Sequence, residues 1–298
     1  MFMLFTRLVI LLLTAVLAFL WIGAFFIGGV LGVICWWAIM AASILGGMMC
    51  IILMIRLAVK LIRRKKVTNQ YIIISALFVL MALPFSWFLN IGHIAFPAEI
   101  ETTAPAVAIH SPFNESAVVG WGGDELETNQ PHAIVPNERW AYDLVMKPYS
   151  IDSKKLNDYG IYNKLIVSPV KGTIAGIYDE EKDIAPGSEE NETMIGNYIY
   201  IKIEETGTFL VLSHIKQNSA LVENGQTVEA GTPLARVGNS GSSSEPHLHI
   251  HHQRQNPAAT SLFFSEGLPL YFKNTDGNTM PNGGKNPDIL SPTPQEMF

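Results

Sequence analysis

Acidic residues are missing from the first third of this 298-residue chain: no Asp or Glu precedes Glu99, and from Leu8 to Ile55 there is no charged side chain of either sign. One membrane crossing takes about 20 apolar residues, so the charge-free stretch is long enough for two. Charge is scarce overall, at 15% of residues against about 25% in ordinary soluble domains, which excludes a wholly soluble enzyme. Basic residues are scarce in the remainder. Arg7, Arg56, Lys60, Arg63, Arg64, Lys65 and Lys66 sit in the apolar front, leaving 13 basic against all 26 acidic residues behind it. Phosphate binding needs a surplus of Lys and Arg, so a nucleic-acid partner is excluded. Cysteine is nearly absent. Cys35 and Cys50 both lie in the front, so the polar part has no disulfide, no thiolate nucleophile and no thiolate metal site.

What is present divides the chain into four parts. Residues 1–95 read as a membrane anchor of three transmembrane helices, the first pair separated near Gly23–Gly32 and the third running roughly Tyr71–Ile94. The first apolar core is longer than that of a signal peptide, and no small-x-small cleavage site follows it, so it reads as a retained span. The strongly basic stretch Arg56–Lys66 marks a short cytoplasmic loop. This puts the N-terminus inside, the polar domain outside the cytoplasm, and the bilayer lipid among the partners. No Asp, Glu or Lys lies within a span, so nothing suggests an ion pathway; His93 reads as interfacial. Residues 96–111 form a Pro, Ala and Thr linker with His110 on its surface. Residues 274–298, rich in Pro, Gly and Asn, read as a poorly ordered tail.

Between them, residues 112–273 show short runs of β-formers separated by Gly, Asn and Asp turns: Ala117–Trp121, Trp140–Val145, Lys164–Val167, Thr173–Tyr178, Tyr198–Ile203, Thr208–Ser213, Pro233–Val237 and His247–Ile250. That spacing predicts a mainly antiparallel β domain. The acidic segment Asp179–Glu192 reads as a solvated excursion. Val222–Gly231 resembles the hairpin of biotinyl and lipoyl carriers but has no Lys to modify, so it is scaffold. Trp140, Tyr142, Tyr198 and Tyr200 fall on strands, where aromatics are more often core than substrate platform.

Five histidines, His132, His214, His247, His249 and His251, fall at or beside strand positions. Side chains at i and i+2 of a strand share a face, so His247 and His249 suit one metal ion, or one ligand beside one base. His251 lies on the same face, where simple solvent exposure is the larger expectation, and His252 on the other. The flanking Gly238-Asn-Ser-Gly241 and three serines let the preceding loop pack close.

The run through Glu245-Pro-His247-Leu-His249, with Leu212-Ser-His214 and Val222–Gly231 upstream, resembles the lysostaphin-type zinc metallopeptidases. These cut peptide cross-links of the bacterial cell wall. The resemblance spans roughly Gly120–Gln253. It implies that His249 and Asp143 bind zinc and that His247 and His214 act in catalysis. The family's first ligand is usually a His four residues before the Asp; here that position is Arg139, which stays protonated and cannot ligate. The nearest candidate is His132, and some relatives similarly have an earlier His followed by Arg, an aromatic residue, Ala, any residue and Asp. Three ligands, His132, Asp143 and His249, would leave a corner for water.

The resemblance thus implies a membrane-anchored, extracytoplasmic zinc metallopeptidase of peptidoglycan peptides. The alternatives are an inactive domain of the same fold that binds cell wall or regulates another hydrolase, and an assembly factor whose helices matter most.

Overall fold

The protein is described here by a computed structural model covering residues 2–89, 91–274 and 277–292. It divides into two compact units, Met1–Pro97 and Ala98–Phe298.

The first unit contains three helices long and apolar enough to cross a membrane, with spans Leu4–Ile27, Gly29–Ile62 and Asn69–Leu89. Helix α1 (Phe2–Ile22) runs into one π-helical turn, Gly23–Ile27, before α2 (Gly29–Ile62). Gly28 and Gly29 have φ of 70° and 58°, a conformation that glycine adopts without steric cost, so the break falls where the glycines cluster. Helix α3 (Asn69–Ala82) starts behind Thr68, whose hydroxyl accepts from the Tyr71 amide, and continues as a 3₁₀ helix, Leu83–Leu89. The third apolar run therefore leaves helix at Leu89 rather than Ile94. His93 lies beyond it, with Nε2 against the Trp87 carbonyl oxygen.

The second unit is a β domain. Its strands are β1 (Val107–Ile109), β2 (Ala117–Trp121), β3 (Tyr142–Val145), β4 (Leu165–Val167), β5 (Gly172–Tyr178), β6 (Asn197–Ile203), β7 (Phe209–Ile215), β8 (Thr227–Val228), β9 (Pro233–Arg236), β10 (Leu248–Gln253), β11 (Leu270–Asn274), β12 (Gly277–Thr279) and β13 (Ile289–Leu290). Eight form one sheet in the order β13-β2-β3-β10-β7-β6-β5-β8, and every pairing in it is antiparallel. Strand β10 thus lies near the middle, flanked by β3 and β7. One face is apolar and closes the core: Leu144, Ile199, Ile201, Leu210, Leu212, Leu248 and Ile250 are all buried. With a period of two, the alternate residues of β10 must face the other way.

Four expectations are corrected. The expected linker contributes β1, which pairs in parallel with β11 through the alternating Val107-Ala-Ile109; in this short run composition hides the period. His110 is only 8% exposed, because the strand before it draws it into the domain. The expected tail supplies β12 and β13, and β13 pairs with β2, which would otherwise be an edge strand, covering backbone groups that an edge leaves open; residues 275–276 and 293–298 lie outside the described set. The acidic segment 179–192 is pinned rather than solvated. Buried Glu181 accepts from the amides of Glu192, Thr193 and Gly241.

Candidate metal centre and cleft

The site grows from β10. Leu248, Ile250 and His252 face one side, and His249, His251 and Gln253 the other, all six buried. The register sets Asp143 of β3 opposite His249, and Ser213 of β7 opposite it on the other flank. Opposed residues on neighbouring strands hold their Cβ atoms about 5 Å apart, so the Asp143 carboxylate meets the His249 ring by backbone pairing alone. Asp143 Oδ1 is 3.0 Å from His249 Nδ1.

His132 arrives from outside the sheet. It sits on the one-turn helix α4 (Gln130–Ala133), and a 3₁₀ turn, Pro136–Glu138, brings the chain back to β3. Its Nε2 lies 3.4 Å from Asp143 Oδ1. Arg139 points elsewhere. Its guanidinium donates to the Asp124 carbonyl oxygen at 2.8 Å and pairs with the Asp124 carboxylate at 2.8 Å, while the Trp140 indole N–H donates to that same carboxylate. The residue at the family's usual ligand position is therefore a structural tie.

His214 owes its direction to a bulge. Between β6 and β7 the register jumps, with Tyr198 opposite Ser213 and Asn197 opposite Ile215, leaving His214 as the extra residue. It has φ of 59°, a left-handed conformation uncommon outside glycine. Ser213 and His214 consequently both line the cleft, where a regular strand would send one to each face. The His214 Nδ1–H donates to the Ser240 carbonyl oxygen at 2.7 Å, and the His247 Nδ1–H to the Glu245 carbonyl oxygen at 2.8 Å. Each ring thus turns its Nε2 toward the cleft side of the site. That of His247 is 3.5 Å from Asp143 Oδ1, and the rings of His214 and His247 lie 4.6 Å apart.

The loop before β10 is held tightly. Gly241, at φ 77°, passes Gly196 so closely that a Cβ on Gly241 would come within 2.3 Å of the Gly196 nitrogen. Asn197 N–H donates to Ser240 Oγ, which donates on to the Ile215 carbonyl.

Charge and burial act together. Burial, the largest influence, pushes the Asp143 carboxyl up, but the neighbouring charges of His132 and His247 and hydrogen bonds from His132 and His249 bring it well below its usual range. Burial pulls the His132 imidazole down, and the Asp143 charge more than offsets this, leaving it raised. Burial, with the nearby His247 and His249, drops His214 to about 3. The same causes in kind, burial and then His249, drop His251 to about 4. Both are neutral at physiological pH.

His132, Asp143 and His249 thus offer three ligand atoms all within 4.8 Å of one another. The donor set fits zinc: at Zn–N and Zn–O distances of about 2.1 Å, ligand atoms of a tetrahedral ion stand roughly 3.4 Å apart, close to the 3.0 and 3.4 Å found. His251, expected to be exposed, is buried, with Nδ1 2.9 Å from His249 Nε2. Glu138, unsuspected from the sequence, forms a second close group with His249 and His251. Its only signal there was a carboxylate five residues before Asp143. A cleft of about 860 Å³ opens over these groups, walled by Trp121, Tyr200, Ser242–Ser244 and Leu262, with Gly187–Glu189 and Met194 from the preceding loops. Tyr200, expected as core, is both buried and a wall of this cleft.

Residues 161–260 match the model of Peptidase family M23. The match lies wholly within the second unit. The matched stretch includes His214, His247 and His249, while His132 and Asp143 precede it. No curated protein matches the chain. Solved structures similar to it include lysostaphin from Staphylococcus simulans (19% identity, TM-score 0.31, 53% of this chain and 50% of that one). Others are a zinc-containing peptidase from Vibrio cholerae (16%, 0.33, 50% and 37%) and a chain of the SpoIIQ–SpoIIIAH pore-forming complex (12%, 0.33, 51% and 89%). The chain therefore spans about half the length of lysostaphin and less of the Vibrio peptidase.

Proposed function

We propose that this chain is a membrane-anchored zinc metallopeptidase whose M23 domain, outside the cytoplasm, hydrolyses peptide cross-links of peptidoglycan. The observation that carries the reading is the convergence of His132 Nε2 and His249 Nδ1 on a single carboxylate oxygen of Asp143 beneath an open cleft. Zinc at such a site acidifies a bound water and polarises a carbonyl. The chain's own part is to orient and to move protons. His247 Nε2 faces the Asp143 side of the site and is placed to take a proton from an attacking water. His214, neutral with its bare nitrogen turned inward, is placed to hold that proton or to pass it to the leaving amine. Tyr200 and the 187–195 segment give an extended peptide a wall to lie along. The stretch Arg56–Lys66, expected as a loop, is helical to Ile62 and so ends α2; its basic residues, with the turn from Arg63 on, support placing the α2–α3 connection in the cytoplasm and the M23 domain on the other side.

The test is incubation of the full-length chain, in detergent micelles, with purified peptidoglycan, with and without chelator, followed by mass analysis of released peptides. Metal-dependent release of cross-link fragments is expected. Zinc uptake without any release points instead to a wall-binding or regulatory domain.

A further inference from the structure

Behind each histidine ligand stands a buried carboxamide, and each amide has its nitrogen end fixed by backbone carbonyls, which can only accept. The Asn129 amide nitrogen donates to the carbonyl oxygens of Gly123 and Ala141, at 3.0 and 3.1 Å. Its oxygen is thereby turned to His132 Nδ1, 2.9 Å away. An amide oxygen has no proton, so Nδ1 of His132 must carry one, and Nε2, the atom that faces Asp143, is the one left for a cation.

A longer chain of the same kind ends at His249. The Gln253 amide nitrogen donates to the Gln255 carbonyl oxygen at 2.7 Å, so its Oε1 faces His251 Nε2 at 3.0 Å and accepts from it. His251 therefore carries its proton on Nε2 and offers Nδ1 as an acceptor, 2.9 Å from His249 Nε2. His249 must donate there, so Nδ1 is the atom left for a cation beside Asp143.

We propose that Asn129 and Gln253, the latter acting through His251, are positioning residues that fix the tautomers of His132 and His249 so that Nε2 of one and Nδ1 of the other are left for a cation beside Asp143. This rests on the reading that His132, Asp143 and His249 hold a divalent cation. The reverse tautomers would set an imidazole lone pair against an amide oxygen at each relay. With the observed partners, the ring atoms left to face Asp143 are His132 Nε2 and His249 Nδ1, which hydrogen-bond to its carboxylate in the metal-free chain and whose protons a cation would displace. The relay also assigns the second close group: His249 Nε2 holds a proton, so His249 and His251 form a hydrogen-bonded pair beside Glu138 and the chain takes one metal ion.

The experiment is a competitive zinc titration of the full-length chain in micelles, wild type beside Gln253→Met and Gln253→Glu, with ¹⁵N spectra of the histidine rings. Outer partners of metal-bound histidines are worth roughly 10- to 100-fold in metal affinity. Gln253→Met, which has no acceptor, is expected to weaken zinc by that factor. Gln253→Glu, which keeps one, is expected to stay within about threefold of wild type. The spectra are expected to show N–H on Nδ1 of His132 and on Nε2 of His249. Wild-type affinity in Gln253→Met, two zinc ions per chain, or a proton on Nδ1 of His249 in the loaded chain would each overturn the proposal. If the wild type takes up no zinc, the metal reading fails by itself, and the ring protons of the metal-free chain still decide whether the two amides set the tautomers.

Discussion

Asp143 and His249 stand directly opposite each other on neighbouring strands, 106 residues apart in the chain, with Oδ1 and Nδ1 3.0 Å apart. The backbone ladder of β3 and β10 fixes this pair before any ligand arrives, which makes the centre preorganised. Removing Asp143 and removing His214 should therefore have different consequences. Asp143→Asn takes away the only carboxylate of the ligand set, and zinc affinity should fall by at least about 100-fold, beyond the loss of an outer partner. His214→Asn leaves the ligand set intact. Zinc content should stay at one per chain while peptide release slows by about 10²- to 10⁴-fold, the worth of a positioned proton carrier. Metal analysis beside a peptidoglycan release assay separates the two; equal zinc loss in both variants would assign His214 to the ligands.

Arg139 occupies the position where the family resemblance expects a ligand, yet its guanidinium is tied to Asp124. Arg139→Met should leave zinc stoichiometry unchanged and lower stability by about 1–3 kcal/mol, the cost of breaking charged hydrogen bonds at a buried site whose partner is half open to water. Urea denaturation of the metal-free chain gives the loss. A drop in zinc affinity without a drop in stability would contradict this division of labour.

Much of this arrangement was legible in the sequence because its period is two. His247-Leu-His249 announced a strand face, and the loop of Gly and Ser residues announced a close approach. What the sequence concealed lies in irregular backbone. The bulge that turns His214 toward the same cleft as Ser213 leaves no periodic trace, since one extra residue looks like any other. The route by which His132 returns to Asp143 runs through one turn of α-helix and one of 3₁₀, too short for a pattern. Burial of His251 depends in part on Glu138, which comes near it only in three dimensions. The tail concealed β13 because a two-residue strand has no period to read.

The metal-free domain should weaken in mild acid. His252, on the core face of β10, has Nε2 2.6 Å from Thr208 Oγ1 and Nδ1 3.1 Å from the Pro269 carbonyl oxygen, and burial holds it at about 4. An unfolded histidine titrates near 6.5. Between about pH 6.5 and 4 the unfolded chain binds a proton that the folded chain does not, so stability falls as pH falls and levels off below 4. His252 should contribute a slope approaching about 1.4 kcal/mol per pH unit in that window, with His214 and His251 adding to it. Chemical denaturation of chelated protein from pH 7 to 4 measures the slope. His252→Gln should be less stable at pH 7 and should lose one proton's share of the slope; an unchanged slope would show that His252 does not titrate in this way.

The cleft also bears on which bonds the proposed peptidase would cut. Among the described residues that line it, none is Lys or Arg, while Glu138, Asp143 and Glu189 bring carboxylates. An enzyme that trims from a free C-terminus needs a cation for the terminal carboxylate, and a bidentate Arg is the usual solution. This cleft has no such clamp, and its negative lining disfavours a free carboxylate near the scissile bond. Internal cleavage is therefore expected. Two cross-link peptides that differ only in a C-terminal carboxylate or amide should be cut with kcat/KM values within about threefold of each other, whereas a charged clamp worth 1.5–3 kcal/mol would favour the acid by roughly 10- to 100-fold. A preference of that size for the acid would mean that a cation outside the lining residues reaches the substrate, and would overturn the assignment of internal cleavage.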